Sequence, residues 1–377
     1  MANLAKAYIS FSALRHNAQV LKAAAGGTPL CAMVKANAYG HGVSLVVQAL
    51  SGQGIAFWGV ATPEEALELK KIGAPEPILL LRAIELYEET DQVLATVDDL
   101  LEADIRLTLV SAAGLDLLAR RCAQRQKKAR VHIDVDTGLG RNGCPAAEAL
   151  ALVSAAGANP LVELEGIYSH FAGVDELSQD FAGEQRARFQ DVLDKLAARG
   201  LRVPIRHLAN SAAIFNLPEA RLDMVRPGVA LYGYGGKFMR GAERLRSTLR
   251  LEAPVILTKT LAPGETCGYG RTFTARRPTR LGLLPLGYAD GYDRRWSNAG
   301  QVSVGQRLIP VVGRVSMDLT ILDLTDAPEA VVGTLCCVIS ECRADPHSVE
   351  TMAQRLGTIP HEITCALGAR VQRLPAP

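Results

Sequence analysis

Lys35 sits within LCAMVKANA, an apolar run that carries a single ammonium group near its middle. Short continuous apolar runs suit strands buried on both faces. Burial penalises the charged form of a lysine and lowers its pKa. The neutral amine is the form that makes a Schiff base with a carbonyl compound or takes up a proton. The following residues, Asn37, Tyr39, Gly40, His41 and Gly42, keep the segment polar and turn-rich just past the run. Taken alone, Lys35 reads as a solvated charge at a strand end. It is not alone.

Four other apolar runs end in polar groups of kinds that do chemistry. One gives Asp134, Asp136, Thr137 and Gly138 and continues to Arg141. Others carry His170, then His207 with Asn210-Ser211, then Arg226-Pro227-Gly228. Each has a plain structural reading: a core histidine for His170, a helix cap for Asn210-Ser211. Asn210-Ser211 at a helix start also makes an anion site, and Gly228 allows the backbone to approach a phosphate closely.

The elements that must position these groups follow from the pattern. Strands are expected near 30–38, 55–60, 77–82, 104–110, 130–137, 164–172, 205–210 and 223–228, with helical patterns between them. In ATPEEALELKKIGAP, Thr62 is the expected N-cap, Pro63 the first helical residue and Glu65 the partner in a capping box; Gly73 and Pro75 stop the helix. Such strand–helix units predict an α/β fold, a (β/α)8 TIM-like barrel over 9–238, whose chemistry belongs at the C-terminal ends of its strands. A doubly wound open sheet fits the same periodicity. After about residue 240 the runs LEAPVILTKTLAPG, RLGLLPLGYADGY and QVSVGQRLIPVVGRVSMDLTILDL, broken by Gly and Pro, predict a β-rich second domain over 239–377, joined by residues 1–8.

Composition narrows the function classes. Over 377 residues the formal net charge is +2, which leaves no electrostatic footprint for nucleic acid or an anionic membrane. Apolar residues are 48% and aromatics 5%, so aliphatic side chains must fill the core. The eight cysteines are scattered, with no pair or cysteine–histidine cluster at metal-ligand spacing, and no metal is expected. MANLAKAYISFSALRHN lacks a signal-peptide apolar region, and no run is long enough to span a bilayer; the expected location is cytoplasmic.

These motifs resemble the alanine racemases. MVKANAYGHG (33–42) is similar to that family's pyridoxal-phosphate lysine motif, and VDTGLGRNG (135–143), EGIYSHFAGVDE (165–176), HLANSAA (207–213) and MVRPGVALYG (224–233) follow in the family's order. CGYGRTF (267–273), LGYADGY (286–292) and GRVSMD (313–318) complete the series, and the resemblance runs from SALRHN (12–17) to ARVQR (369–373). It implies pyridoxal phosphate held on Lys35, with Tyr39, Asn210, Ser211, Gly228 and Val229 around the phosphate, Arg226 facing the pyridine nitrogen and His170 by the ring. It implies Lys35 and Tyr269 as bases on opposite faces of the substrate, interconverting L- and D-alanine. Arg141, Met317 and Tyr288 would place the substrate, with Asp134, His207 and Asp318 in support. It further implies a homodimer in which Tyr269, Tyr288 and Met317 come from the partner's second domain.

The residue types suit that chemistry. Two bases on opposite faces exchange an α-proton without reorienting the substrate. Free tyrosine titrates near about pH 10, so His170 and Arg226 beside Tyr269 would have to favour its phenolate. An arginine cannot accept a proton from the pyridine nitrogen, which limits the ring as an electron sink and disfavours side reactions such as transamination. The chain departs from the family pattern in three places. Asp134 stands where many members have a carbamylated lysine beside the arginine, and a carboxylate is expected to supply that charge directly. Gly368-Ala369-Arg370-Val371 stands where many have Ser-Tyr-Arg-Val, leaving a phosphate contact to be supplied elsewhere, for instance by Tyr39. Ser316 precedes Met317 where cysteine is common. A racemase of serine or of broader specificity, a decarboxylase on the same barrel, and a non-enzymatic pyridoxal-phosphate carrier are the alternatives. Arg226 and the GYADGY segment oppose the decarboxylase, and the second domain opposes the carrier.

Overall fold

A computed structural model describes residues 4–84, 90–174, 180–236 and 238–376. Asp175 and Glu176, at the end of the EGIYSHFAGVDE run, lie outside them, as do the outermost residues of the expected second domain (1–3 and 377).

The first strand, β1 (Lys6–Ser10), precedes the barrel strands β2 (Cys31–Met33), β3 (Phe57–Val60), β4 (Ile78–Ala83), β5 (Arg106–Leu109) and β6 (Ala129–Asp136). A two-residue strand β7 (Cys144–Pro145) lies against β6, and β8 (Val162–Tyr168), β9 (Ile205–Asn210) and β10 (Met224–Arg226) complete the set. The order is β10-β9-β8-β6-β5-β4-β3-β2, parallel throughout. The two ends meet through a parallel bridge between Leu30 and Val225, with Met33 N donating to Pro227 O at 3.0 Å. That contact closes the (β/α)8 barrel and rules out the open sheet.

Burial explains the ring. Trp58, Val60, Leu79, Leu107, Val131 and Ile133 are fully enclosed. Each such side chain contributes about 1.5–3 kcal/mol by leaving water. The helix after β3, Pro63–Lys71, is capped as its sequence requires. Thr62 accepts from Glu65 N at 3.3 Å while Glu65 Oε2 accepts from Thr62 N at 3.1 Å, so the expected capping box is present.

The strands are shorter than expected at the mouth. β2 stops at Met33, β8 at Tyr168 and β10 at Arg226, so Lys35 and His170 stand just beyond strand ends. Residues Ala36 to Tyr39 continue as one left-handed turn with φ between 51° and 54°. Periodicity could not reveal this, because left-handed backbone is costly for residues other than glycine and needs outside support.

The rest of the chain is β-rich: β11 (Leu249–Pro254), β12 (Leu257–Leu261), β13 (Thr266–Cys267), β14 (Phe273–Thr274), β15 (Thr279–Leu284), β16 (Gln301–Val304), β17 (Arg307–Pro310), β18 (Thr320–Asp323), β19 (Leu335–Ile339) and β20 (Gln372–Ala376). They form a sheet of order β17-β16-β19-β11-β1-β20, a three-stranded sheet β12-β15-β18 and the hairpin β13-β14. β1 pairs antiparallel with β11 and parallel with β20. Two helices, Val349–Leu356 and Pro360–Cys365, were not foreseen from the sequence. The second of them rests on the Lys35 turn. Gly40, at φ 82°, lies so close to it that a Cβ would fall 2.0 Å from Thr364 O.

Candidate active site

At the C-terminal ends of the barrel strands a cavity of about 680 Å³ is lined by Lys35, Tyr39, Asp134, Arg141, His170, Asn210, Ser211, Arg226, Gly228 and Val229. All ten were singled out from the sequence. Asn142, Tyr168 and His361 also line it and were not.

Lys35 is held by the left-handed turn that follows it. Glu65, besides capping its own helix, accepts from Ala36 N at 2.6 Å and from Ala61 N at 2.8 Å. Asn37 Oδ1 accepts from Val43 N at 2.8 Å, which joins the turn to the next helix. Burial lowers the Lys35 pKa from its ordinary 10.5, and the Arg141 and Arg226 charges lower it further against the opposing pull of Glu65. The turn therefore presents an amine that gives up its proton more readily than a free lysine does.

A second part of the cavity gathers the polar groups of Asn210, Ser211 and Tyr39 around Gly228. Ser211 Oγ accepts from Gly228 N at 2.9 Å and Ala230 N at 3.3 Å, and Asn210 Oδ1 accepts from Ala213 N at 3.0 Å. A Cβ on Gly228 would fall 2.4 Å from the Tyr39 hydroxyl, so only glycine leaves that space open. His361, on the helix Pro360–Cys365, faces the Tyr39 ring with centroids 5.5 Å apart. The run Gly368 to Val371 does not line the cavity; Gly368 packs near Ala289 and Arg370 pairs with Asp290 and Asp318. The second domain thus offers a histidine to this end, which the sequence reading had left to Tyr39.

Arg226 is 3% exposed, and both of its terminal nitrogens are hydrogen-bonded. Its Nη1 donates to His207 Nδ1 at 2.6 Å, and Nη2 donates to Ser169 O at 2.6 Å and His170 Nδ1 at 3.2 Å. Its guanidinium carbon stands 5.0 Å from the Tyr168 ring centre. Burial, with Arg226, Arg141 and Lys35 around it, pushes the His170 pKa down to about 3, so that ring is neutral.

Asp134 differs from expectation. Its carboxyl is 6% exposed and accepts from Asn142 Nδ2 at 3.0 Å. Burial raises its pKa to about 7 in spite of Arg226, the Asn142 hydrogen bond and Arg141. The negative charge is therefore present only in part near neutrality, and the carboxyl doubles as a protonated acid.

Tyr269, Tyr288 and Met317 do not line the cavity. They are 72%, 43% and 53% exposed on the second domain. Their loops are pinned together: Tyr288 N donates to Ser316 O and Ala289 N to Met317 O, both at 3.1 Å. Gly268, beside Tyr269, lies against the backbone of Gly313 and Arg314. Asp318 holds the loop from behind through Arg370 at 2.8 Å. An outward cluster of two phenols and a thioether is thus presented as one surface.

A closed barrel with a buried lysine just past its first strand, joined to a β-rich domain, is the arrangement of a barrel enzyme whose chemistry sits at its strand ends. Known proteins place the chain within that class. The family described as alanine racemase, N-terminal domain, matches residues 9–235, and alanine racemase, C-terminal domain, matches 248–375. Alanine racemase from Desulforamulus reducens is 38% identical over 98% of both chains, and alanine racemase 2 from Caldanaerobacter subterraneus subsp. tengcongensis is 37% identical over 97% of this chain and 93% of its own. The crystal structure of alanine racemase from D-cycloserine-producing Streptomyces lavendulae superposes with a TM-score of 0.91 at 34% identity, covering 100% of this chain and 98% of that one. That of the Bartonella henselae enzyme with covalently bound pyridoxal phosphate gives 0.85 at 31% identity, covering 99% of each. The chain belongs to the alanine racemase family and is an isomerase. Among the described residues no helix is long and apolar enough to cross a membrane.

Proposed function

We propose that this enzyme interconverts L- and D-alanine with pyridoxal phosphate held at Lys35, as a homodimer whose second domains complete each other's sites. The observation that carries the reading is one cavity uniting an amine of lowered pKa, a buried arginine and a space beside the Tyr39 hydroxyl that only glycine leaves open. The residues fit the cofactor. Lys35 would bond its aldehyde carbon, while Ser211, Gly228, Val229, Asn210 and Tyr39 would hold its phosphate. Arg226, already donating to four acceptors, would face its ring nitrogen and keep it free of a proton. When bound, pyridoxal phosphate supplies a conjugated system that accepts the electrons left at the substrate α-carbon.

The protein's own part is orientation and proton transfer. Lys35 Nζ holds or takes the α-proton on one face, and Tyr269 of the partner subunit does so from the other. Arg141 at the cavity wall binds the substrate carboxylate, and Tyr288 and Met317 of the partner subunit narrow the entrance. The exposure of Tyr269, Tyr288 and Met317 supports a partner, because they do not line the cavity of their own chain. The names of the relatives support alanine as the substrate. A soluble cytoplasmic enzyme is the location this chemistry suits.

The test has two arms. Purified protein should show a visible band that borohydride bleaches, and should abolish the optical rotation of L-alanine faster than that of L-serine. Lys35→Ala should lose both band and turnover; racemisation surviving without added amine would end the reading. Mixing inactive Lys35→Ala and Tyr269→Phe chains should restore about a quarter of the native activity, since half the dimers then carry one intact site. No recovery despite subunit exchange would place both bases on one chain.

A further inference from the structure

Beneath Arg226 a row of polar side chains runs down the inside of the barrel. His207 Nε2 lies 2.8 Å from His132 Nδ1, and His132 Nε2 lies 3.1 Å from Glu165 Oε2. Both imidazoles are completely buried. Tyr168 stacks on His207 at 4.7 Å, and Phe57 meets His132 edge-on at 6.1 Å. Arg106 Nε stands 3.3 Å from the same Glu165 oxygen, at the far end of the row.

The two ends fix the direction of every proton. A guanidinium can only donate, so His207 Nδ1 must accept and Nε2 must carry the hydrogen. That hydrogen goes to His132 Nδ1, leaving His132 Nε2 to donate to Glu165. A carboxylate can only accept, so the row closes without a donor facing a donor. A second proton on either ring would set two N–H groups against each other in a dry site. The charges agree: burial holds both histidines below their ordinary pKa, and although burial raises that of Glu165, the His132 hydrogen bond and Arg106 bring it below the usual value. The neighbouring sequence makes room for this arrangement. A Cβ at Gly166, next to Glu165, would fall 2.1 Å from His132 Nδ1.

We propose that Glu165 is a positioning residue for the reaction. Through His132 and His207 it fixes one tautomer of each ring, orients the Arg226 guanidinium beneath the cofactor, and bars a proton from reaching the pyridine nitrogen along the barrel axis. The proposal rests on the reading that Arg226 faces that nitrogen, and it adds two residues that do not line the cavity.

The holoenzyme with ¹⁵N-labelled histidine provides the first test. Both His132 and His207 should be neutral Nε2–H tautomers from about pH 6 to about pH 9. A protonated or Nδ1–H form of either ring in that range overturns the proposal. Glu165→Leu should mix the tautomers, shift the pH profile of the visible cofactor band and lower kcat about tenfold with KM within about twofold. Glu165→Gln retains a carbonyl acceptor and should keep the tautomers and most of the rate. A leucine variant with native tautomers and spectrum, or a glutamine variant whose tautomers are mixed, overturns the idea. Should the leucine variant not fold, the unmodified enzyme and the glutamine variant still decide. The tautomers are read whatever the cofactor or substrate, so their failure rejects the relay alone. Absence of a bleachable band rejects the reading of the site.

Discussion

Arg226 Nη1 and His207 Nδ1 are 2.6 Å apart in a part of the barrel where neither side chain meets bulk water. The planar fork of Arg226 satisfies this contact together with Ser169 O and His170 Nδ1. A lysine ammonium presents a single point of charge and cannot reproduce the fork. Arg226→Lys should therefore lose about 1–3 kcal/mol of stability by leaving buried acceptors unmet. Urea denaturation reads this directly, and a change under about 0.5 kcal/mol would mean the fork is not used.

The Asp134 carboxyl should make stability depend on pH in an unusual direction. Its pKa is raised from 3.8 to about 7 by burial, so the folded chain binds a proton that the unfolded chain has released over that interval. Stability must then fall as pH rises from about 4 to about 7, and stay lower above it. Asp134→Asn removes this dependence. The variant should gain on the order of 3 kcal/mol relative to the native chain between pH 5 and pH 8. Parallel unfolding curves across that range would contradict it.

Glu65 takes hydrogen bonds from three backbone N–H groups, two on its own helix start and one on the Lys35 turn. Glu65→Ala should cost about 1–3 kcal/mol. It should also slow turnover more than it weakens alanine binding, because the amine loses its seat. Native kcat in a destabilised protein would show that the turn holds itself.

Gly228→Ala places a methyl group against the Tyr39 hydroxyl. The phenol can swing away, so global stability should change little, while cofactor affinity falls about tenfold, or about 1.4 kcal/mol. Titration of cofactor-free protein with pyridoxal phosphate measures this. Unchanged affinity would remove Tyr39 and Gly228 from the phosphate end.

Much of this was legible before any coordinates. Enclosed strands write themselves as continuous apolar runs, so the barrel units and the polar residues at their ends could be read in order. Lys35, Asn210-Ser211 and Arg226-Pro227-Gly228 are conspicuous because apolar strands have no need of them. The rest depends on contacts between distant segments. The left-handed turn is visible only once Glu65 is seen to brace it from another helix. His132 and Glu165 look like ordinary strand residues until the strands stand side by side. Gly166 was the available signal, since a glycine inside a strand often marks a close approach. His361 reaches the cavity from more than 300 residues beyond Lys35, on a helix that no periodicity announced. The partner-site role proposed for Tyr269, Tyr288 and Met317 came from family resemblance and not from pattern.

The neighbours of β1 have a bearing on how the chain is made. This strand leaves the ribosome well before its parallel companion, β20. A nascent chain can close its barrel while Lys6–Ser10 still has an open hydrogen-bonding edge, an adhesive strip that invites association with other chains. Maturation of the second domain is therefore the step at which a chaperone, or a slowed rate of translation, has most to offer this protein.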